Sequence, residues 1–384
     1  MRVKLQIDDD QLAACVSCGL CLPHCPTYRV TGEEGLSPRG RIAAMRAVQQ
    51  EGRDVDADTL RFVETCVQCR GCEPACPSGV QFGALMEGTR HTLADGRRIT
   101  PRWQRAAFAG LARHRLLLAG SSLLAIAQRA RLVPRRLGLG RLPIRRRPLH
   151  PATGEGAWLY TGCVMDAWQR ETHRSTAEVL SALGITYRYP TAGGCCGALH
   201  AHAGLHVDAA RLARRTMASM PGDVPIVVNS AGCGASMKEY GALVGTSAAA
   251  EFSRRVFDVH EFIAPQLGRL GVPPGSQTVI VQDPCHLRHV QKAHAAVRQV
   301  IGAVARPVEL DDEGLCCGAG GAYSALQPEL AGAIRERKLA SIQRAQAASG
   351  ATVIASANPG CAMHLGAAGL TVRHPIDLLA EALR

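Results

Sequence analysis

Cys15, Cys18, Cys21 and Cys25 stand in a C-x2-C-x2-C-x3-C-P run closed by Pro26, and Cys66, Cys69, Cys72 and Cys76 repeat it before Pro77. Three thiolates spaced this way wrap three corners of one [4Fe–4S] cubane, while the fourth, turned away by the proline, reaches another cluster. The spacing therefore assigns Cys15, Cys18, Cys21 and Cys76 to one cluster, and Cys66, Cys69, Cys72 and Cys25 to a second. Paired C-x2-C sequences also bind zinc tetrahedrally. A zinc ribbon, however, has no need of three cysteines at consecutive two-residue gaps before Cys-Pro, still less of that run twice. Two clusters with exchanged fourth ligands lie close together, which suits stepwise transfer of single electrons. His24, inside the first run, reads as a solvent-facing spacer rather than a hydrogen-bonding tuner of a cluster.

The other eight of the sixteen cysteines fall into two sets of four. Cys163, the vicinal pair Cys195-Cys196 before Gly197, and Cys233 make one set; Cys285, Cys316-Cys317 before Gly318, and Cys361 make the other. Matching cysteines are offset by 122, 121 and 128 residues, so the chain from Trp158 onward is an internal repeat. Vicinal cysteines are awkward to pack and poorly explained as core filler. Each set is a candidate metal or redox-thiol site, open between a cluster, another metal and redox-active thiols.

Positioning these residues requires two kinds of scaffold. In the C-terminal part, apolar strands at Ala157–Tyr160, Pro225–Asn229, Thr278–Gln282 and Ala351–Ala355 alternate with helices at about 166–183, 207–220, 285–301 and 328–347. This alternation predicts parallel α/β units, with the cysteines in loops at the strand ends where such folds build sites. Each Cys-Cys-Gly loop is joined by a cysteine from the first and one from the last strand of its unit. The first ninety residues read instead as a helical two-cluster ferredoxin, with periodic apolar stretches near Ile42–Val48 and Thr59–Thr65. The fold class is thus a multidomain α+β and α/β chain: a two-[4Fe–4S] ferredoxin domain at 1–95, an Arg-rich helix and linker at 96–154, and cysteine-rich units at 155–270 and 271–384.

The formal charge of +12 is confined to one of these parts. Residues 1–95 hold ten basic and thirteen acidic side chains, whereas 96–154 hold fourteen arginines and no acid. That segment begins as an amphipathic helix from Trp103 to Arg131 and becomes a Gly/Pro/Arg-rich linker beyond Pro134. It reads as a solvated connector or as a surface that docks an acidic subunit or anionic lipid headgroups. Nucleic acid is excluded as a partner, because aromatics are only 4 % and no groove-reading motif accompanies the charge. No run of 18 uncharged apolar residues exists and Met1–Asp10 carries no apolar signal region, so the expectation is a cytoplasmic protein, peripheral on the inner face of the cell membrane if the arginines dock there.

No G-x-G-x-x-G follows a strand and no G-x4-G-K-[ST] occurs; Gly318-Ala-Gly-Gly-Ala follows cysteines instead. The chain is therefore expected to lack its own flavin or nicotinamide site. His286 beside Cys285 is a candidate ligand or proton donor, but no catalytic residue is assigned among it, His200, His202, His206, His289 and His294.

At these motifs the chain resembles the iron–sulfur subunits of bacterial glycolate oxidase, with cysteine-rich repeats shared with heterodisulfide reductase. The resemblance runs over essentially the whole length. It is carried by Cys25-Pro-Thr-Tyr28 through Gly32-Glu-Glu to Ser37-Pro-Arg-Gly-Arg41, by Cys76-Pro-Ser-Gly-Val80, by Ser230-Ala-Gly-Cys233-Gly with Lys238-Glu-Tyr240, and by Leu315-Cys-Cys-Gly with Gly320 and Tyr323. It implies a complex whose separate FAD-bearing subunits oxidise glycolate to glyoxylate while this chain relays electrons toward a quinone-type membrane acceptor. Equivalent subunits of lactate or anaerobic glycerol-3-phosphate dehydrogenases share the cysteine layout, and a thiol/disulfide oxidoreductase is the reading from another class. In the heterodisulfide-reductase repeats the last strand ends in C-x2-C, giving five cysteines; here Ser230 and Asn358 replace the first of that pair. This departure counts against the reductase chemistry.

Overall fold

The computed structural model describes residues 3–133, 142–191 and 194–384. The start of the Gly/Pro/Arg-rich stretch, residues 134–141, lies outside the described residues. The first ninety-five residues form short helices, chiefly Pro38–Gln49, Ala57–Glu64 and Phe82–Asp95, around a core that includes Ile42, Met45, Leu85, Met86 and Leu93. Local chemistry starts two of them. Ser37 accepts from the Gly40 amide with Pro38 at the first helical position, and Asp56 accepts from the Thr59 amide.

The repeats are two four-stranded parallel sheets. Strands β1 (Ala157–Tyr160), β2 (Tyr187–Arg188), β3 (Ile226–Val228) and β4 (Val256–Asp258) run in the order β2-β1-β3-β4. Strands β5 (Thr278–Val281), β6 (Arg306–Val308), β7 (Val353–Ala355) and β8 (Thr371–Arg373) run in the matching order β6-β5-β7-β8. Their central strands are continuous β-branched or apolar runs, as helices on both faces require. Each unit carries a fourth strand, β4 or β8, that the sequence reading lacks. Cys233 and Cys361 consequently follow the third strand of their sheets rather than the last.

The helix Arg170–Ala182 of the first unit packs on Pro375–Ala382 of the second, and His294–Val304 of the second packs on Val259–Ile263 of the first. This reciprocal exchange merges the inner faces of both sheets into one core containing Leu159, Val227, Val279, Ile301 and Ile376. The units are therefore one body. Burial of each such side chain contributes about 1.5–3 kcal/mol.

The arginine-rich segment is two helices, Arg102–Leu111 and His114–Arg129, not one. His114 Nε2 reaches Asp166 at 2.9 Å and pins the start of the second helix to the first repeat. Trp168 Nε1 donates to Ser121 Oγ at 2.9 Å, and Arg146 donates to the Ala167 carbonyl at 2.6 Å. A local tie to the repeat thus breaks a helix that apolar periodicity alone would continue.

Candidate iron–sulfur and thiol sites

The two cysteine runs share an unusual backbone. Ser17 and Gln68, each just before the second cysteine of its run, both have φ of 56°. Gly19 and Arg70, just after it, have φ of 87° and 60°. Left-handed backbone at non-glycine positions is costly and concentrates at functional sites. Here it turns the thiols of each run inward.

Cys15, Cys18, Cys21 and Cys76 line one cavity, with Pro38, Ile42 and Phe82 among its walls. Cys25, Cys66, Cys69 and Cys72 line a second, and Cys72 also borders the first. The two sets differ sharply in exposure. Cys18 is exposed and Val16 and Leu20 beside it are 70 % and 58 % exposed, whereas Cys25, Cys66, Cys69 and Cys72 are all buried. The difference follows from what covers each run. Arg70, at the position of Gly19, pairs with Glu73 at 2.9 Å and with Glu239 of the first repeat. Gln68 Nε2 donates to the His202 carbonyl at 2.8 Å, His286 Nε2 donates to the Gln68 carbonyl at 3.0 Å, and the Tyr323 hydroxyl donates to the Thr65 carbonyl at 3.1 Å. Both repeats therefore grip the second run. His286 is a clamp here, and its ring meets that of His202 edge-on at 5.2 Å.

The donor chemistry fits iron–sulfur clusters. Each assigned set of four thiols faces its cavity, with Cys72 bordering both, and the sulfurs have polar neighbours: the Gln68 amide donates to Cys66 Sγ at 3.4 Å and Thr27 Oγ1 lies 3.2 Å from Cys25 Sγ. Arg41, 1 % exposed, is the strongest feature that the spacing rules missed. Its guanidinium donates to Cys25 Sγ at 3.8 Å, to the Phe62 carbonyl at 2.6 Å, to Thr27 Oγ1 at 3.2 Å and to the Leu36 carbonyl. Burial pushes the Cys25 thiol up, and the Arg41 charge pulls it back.

In the repeats, Cys163 and Cys285 follow the first strand of each sheet, and Cys233 and Cys361 lie on the helices Ala231–Lys238 and Pro359–Gly366 that follow the third. First and third strands are neighbours, so their carboxyl ends bring these cysteines to the Cys-Cys-Gly loops. Gly197 and Gly318 have φ of 86° and 88°, and a Cβ at Gly318 would stand 2.6 Å from the Ala331 carbonyl oxygen. Only glycine fits both demands.

Contacts then link the thiols. Cys163 and Cys195 share one buried cluster, and Cys233 packs against the cluster that holds Cys196. In the second repeat Cys285 packs against the cluster that holds Cys316, and Cys317 and Cys361 share another. The neighbouring Cys163 and the buried His200 pull the Cys195 thiol down, a role for His200 that the sequence did not signal. Ser230 and Asn358 meet across the two units: Ser230 Oγ lies 3.5 Å from Asn358 Oδ1, which also accepts from the Gly232 amide at 3.2 Å.

Two thiol-lined cavities in a helical domain, set against paired thiol-bearing sheets, define an iron–sulfur protein built around cysteine-rich repeats. Residues 11–80 match the 4Fe-4S dicluster domain, and residues 157–238 and 279–366 match the Cysteine-rich domain. A probable glycolate oxidase iron-sulfur subunit of Bacillus subtilis is 32 % identical over 99 % of this chain and 96 % of its own. The glycolate oxidase iron-sulfur subunit of Escherichia coli is 31 % identical over 98 % and 95 %. One of the subunits of dihydromethanophenazine:CoB–CoM heterodisulfide reductase from Methanosarcina barkeri is 27 % identical over 97 % and 94 %. The chain belongs to the family of glycolate oxidase iron–sulfur subunits.

Proposed function

We propose that this chain is the electron-transfer subunit of a glycolate oxidase complex. FAD-bearing partner subunits oxidise glycolate to glyoxylate, and this chain carries the electrons toward a quinone-type acceptor at the membrane. The observation that carries the reading is the gathering of eight cysteines into two four-thiol cavities of opposite exposure. Cys15, Cys18, Cys21 and Cys76 hold one [4Fe–4S] cluster, and Cys25, Cys66, Cys69 and Cys72 hold the other. When bound, these clusters supply one-electron chemistry without protons or bond rearrangement. The protein's part is to hold, shield and dock. Val16 and Leu20 present an apolar rim around the exposed Cys18, suited to a partner's electron-exit face. The buried set is closed from water by the repeats, and Arg41 offsets its negative charge. Division of the chain at about 95, 154 and 270 assigns these tasks to the ferredoxin domain, the arginine connector and the two repeats.

The connector supports a peripheral membrane contact. Trp103, Leu116, Leu123, Ile126 and Leu132 are 54–76 % exposed on or just after its helices, among arginines with no acid from 96 to 154. Among the described residues no helix is long and apolar enough to cross a membrane. An apolar row flanked by cations suits the plane of an anionic bilayer, on the cytoplasmic side.

Anaerobic co-purification with its partner subunits tests the whole reading. The complex is expected to reduce an artificial acceptor with glycolate, faster than with lactate or glycerol 3-phosphate, while the isolated chain binds iron and sulfide yet turns over none of them. Glycolate oxidation by the isolated chain would overturn it.

A further inference from the structure

The buried thiol set borders a further cavity, of about 100 Å3, to which all four parts of the chain contribute. Cys66 borders it from the second cysteine run, Gln104 and Phe108 from the first connector helix, Leu199 from the first repeat, and Tyr323 and Gln327 from the second. Its size is on the order of the roughly 150 Å3 that admits a benzene ring.

The lining divides by chemistry. Phe108, Leu199 and Tyr323 form apolar wall, and the Tyr323 hydroxyl is already committed to the Thr65 carbonyl. Arg90, also on the lining, donates to the His202, Val63 and Cys66 carbonyls at 2.6, 2.7 and 2.8 Å, yet its Nε is buried with no hydrogen-bond partner among the described residues. A buried donor left unpaired is costly, so it marks a place for an acceptor oxygen. The side-chain amides of Gln104 and Gln327 have no partner among the described residues either. The one arginine is balanced by one carboxylate, the exposed Glu64, so the cavity favours a neutral ligand. An apolar slot with a few placed donors is how small-molecule sites are lined. The larger cavity between the ferredoxin domain and the repeats, about 370 Å3, differs: Arg70, Glu87, Glu239 and four histidines line it, and no cysteine does.

Placement adds a second argument. Phe108 is buried against the cavity, whereas Trp103, five residues earlier on the same helix, is 63 % exposed. The connector proposed above to meet an anionic bilayer is therefore also a wall of this cavity. We propose that the cavity binds the headgroup of a quinone. The ring lies among Phe108, Leu199 and Tyr323, its oxygens accept from Arg90 Nε and from the Gln104 or Gln327 amide, and its prenyl tail leaves along the connector. A quinone is neutral and planar, carries two acceptor oxygens and brings an apolar tail, which matches each of these features. The inference rests on the relay and the acceptor class proposed above. The balance closes: glycolate yields two electrons and two protons on becoming glyoxylate, and a quinone takes up two of each on becoming quinol.

The test uses the anaerobically purified full-length chain. Decylubiquinone binding is read by equilibrium dialysis, and its position by photolabelling with an azidoquinone followed by mass spectrometry. Label is expected on the peptides that contain Gln104 and Gln327. Q104A and Q327A should each weaken binding severalfold, and together at least tenfold, with iron content and melting temperature retained. H206A, in the larger cavity, should leave the affinity unchanged. No binding to the parent chain, label confined to the exposed face of the connector, or an affinity indifferent to Q104A and Q327A overturns the site. Glycolate-driven reduction of an artificial acceptor by the parent complex reports the relay separately. If that reduction is present while the binding results fail, the relay stands and the cavity assignment falls.

Discussion

Arg41 is the sharpest handle on the electron-transfer reading. It is a buried cation with a nitrogen 3.8 Å from Cys25 Sγ, in the proposed cluster site, whose charge would become more negative on reduction. Arg41→Gln keeps a donor of related reach and removes the charge. At 3.8 Å and an effective dielectric constant of about 20, a full electron charge at that sulfur interacts with the guanidinium by about 4 kcal/mol. Shared equally over four ligand corners, the same electron gives about 1 kcal/mol at this one. For a one-electron couple these limits correspond to a midpoint lowered by about 50 to about 190 mV. The assay is an EPR-monitored redox titration of the purified chain, scored against iron content. Arg41→Gln also takes the Arg41 donor from the Phe62 carbonyl, at about 1–3 kcal/mol, while the Leu36 carbonyl keeps the Thr27 hydroxyl at 2.7 Å. Arg41→Lys is therefore made alongside, because it retains the charge with poorer hydrogen bonding. The expected result is a drop in one midpoint only, absent or much smaller in Arg41→Lys. If Arg41→Gln holds full iron and both midpoints match the parent, the guanidinium is merely a structural tie and the electrostatic argument fails.

Three further outcomes are expected. Val16→Asp with Leu20→Asp should leave iron content and midpoints unchanged but slow reduction of the chain by its flavin partner at least tenfold, read by stopped-flow absorbance; an unchanged rate would place partner docking elsewhere. Gly318→Ala should cost about 1–3 kcal/mol from left-handed backbone, plus a clash with the Ala331 carbonyl. Gly197→Ala should cost less, since its new Cβ would stand 3.0 Å from the Ala209 oxygen, and the paired melting temperatures check the ranking. Burial and the nearby Glu239 raise the Glu87 carboxyl to about 7. The folded state therefore holds a proton that the unfolded chain releases from about 4.5 upward, and this contribution is lost as pH rises through about 7. Glu87→Gln should flatten the pH dependence of the melting temperature between pH 5 and pH 8 and stabilise most at the alkaline end, by at most about 3 kcal/mol; an unaltered slope would contradict the burial argument.

What the sequence carried legibly was local. The C-x2-C-x2-C-x3-C-P spacing is a short-range constraint, so the thiol sets follow from chain geometry, and the 122-residue offset exposes the repeat without any knowledge of packing. Edge strands were harder. Arg306–Val308 contains a proline and Thr371–Arg373 is half-exposed, so neither has the apolar run that marks a central strand. Arg41 was unreadable as an electrostatic element because its meaning depends on Cys25, Thr27, Leu36 and Phe62 converging on it. A buried arginine in sequence looks like any other arginine. Ser230 and Asn358 were visible as departures, but that they face each other is a property of the pseudo-symmetric pairing of two sheets.

That pairing also bears on why the reductase alternative is weaker. Thiol–disulfide exchange requires an accessible thiolate to attack a substrate sulfur along a clear line. Cys163, Cys195, Cys196, Cys316, Cys317 and Cys361 are all buried, and only Cys233 and Cys285 are even half-open. Those two are packed rather than open: Cys233 lies against the cluster that holds Cys196, and Cys285 against the one that holds Cys316. Where the five-cysteine repeats would add a further thiol to each unit, Ser230 donates to Asn358, and Asn358 donates to Cys361. The strand ends are thereby closed rather than opened toward a substrate. Electrons can cross such a closed contact, whereas a disulfide must enter it. The same substitutions that remove two candidate ligands therefore favour a relay over a thiol-exchanging enzyme.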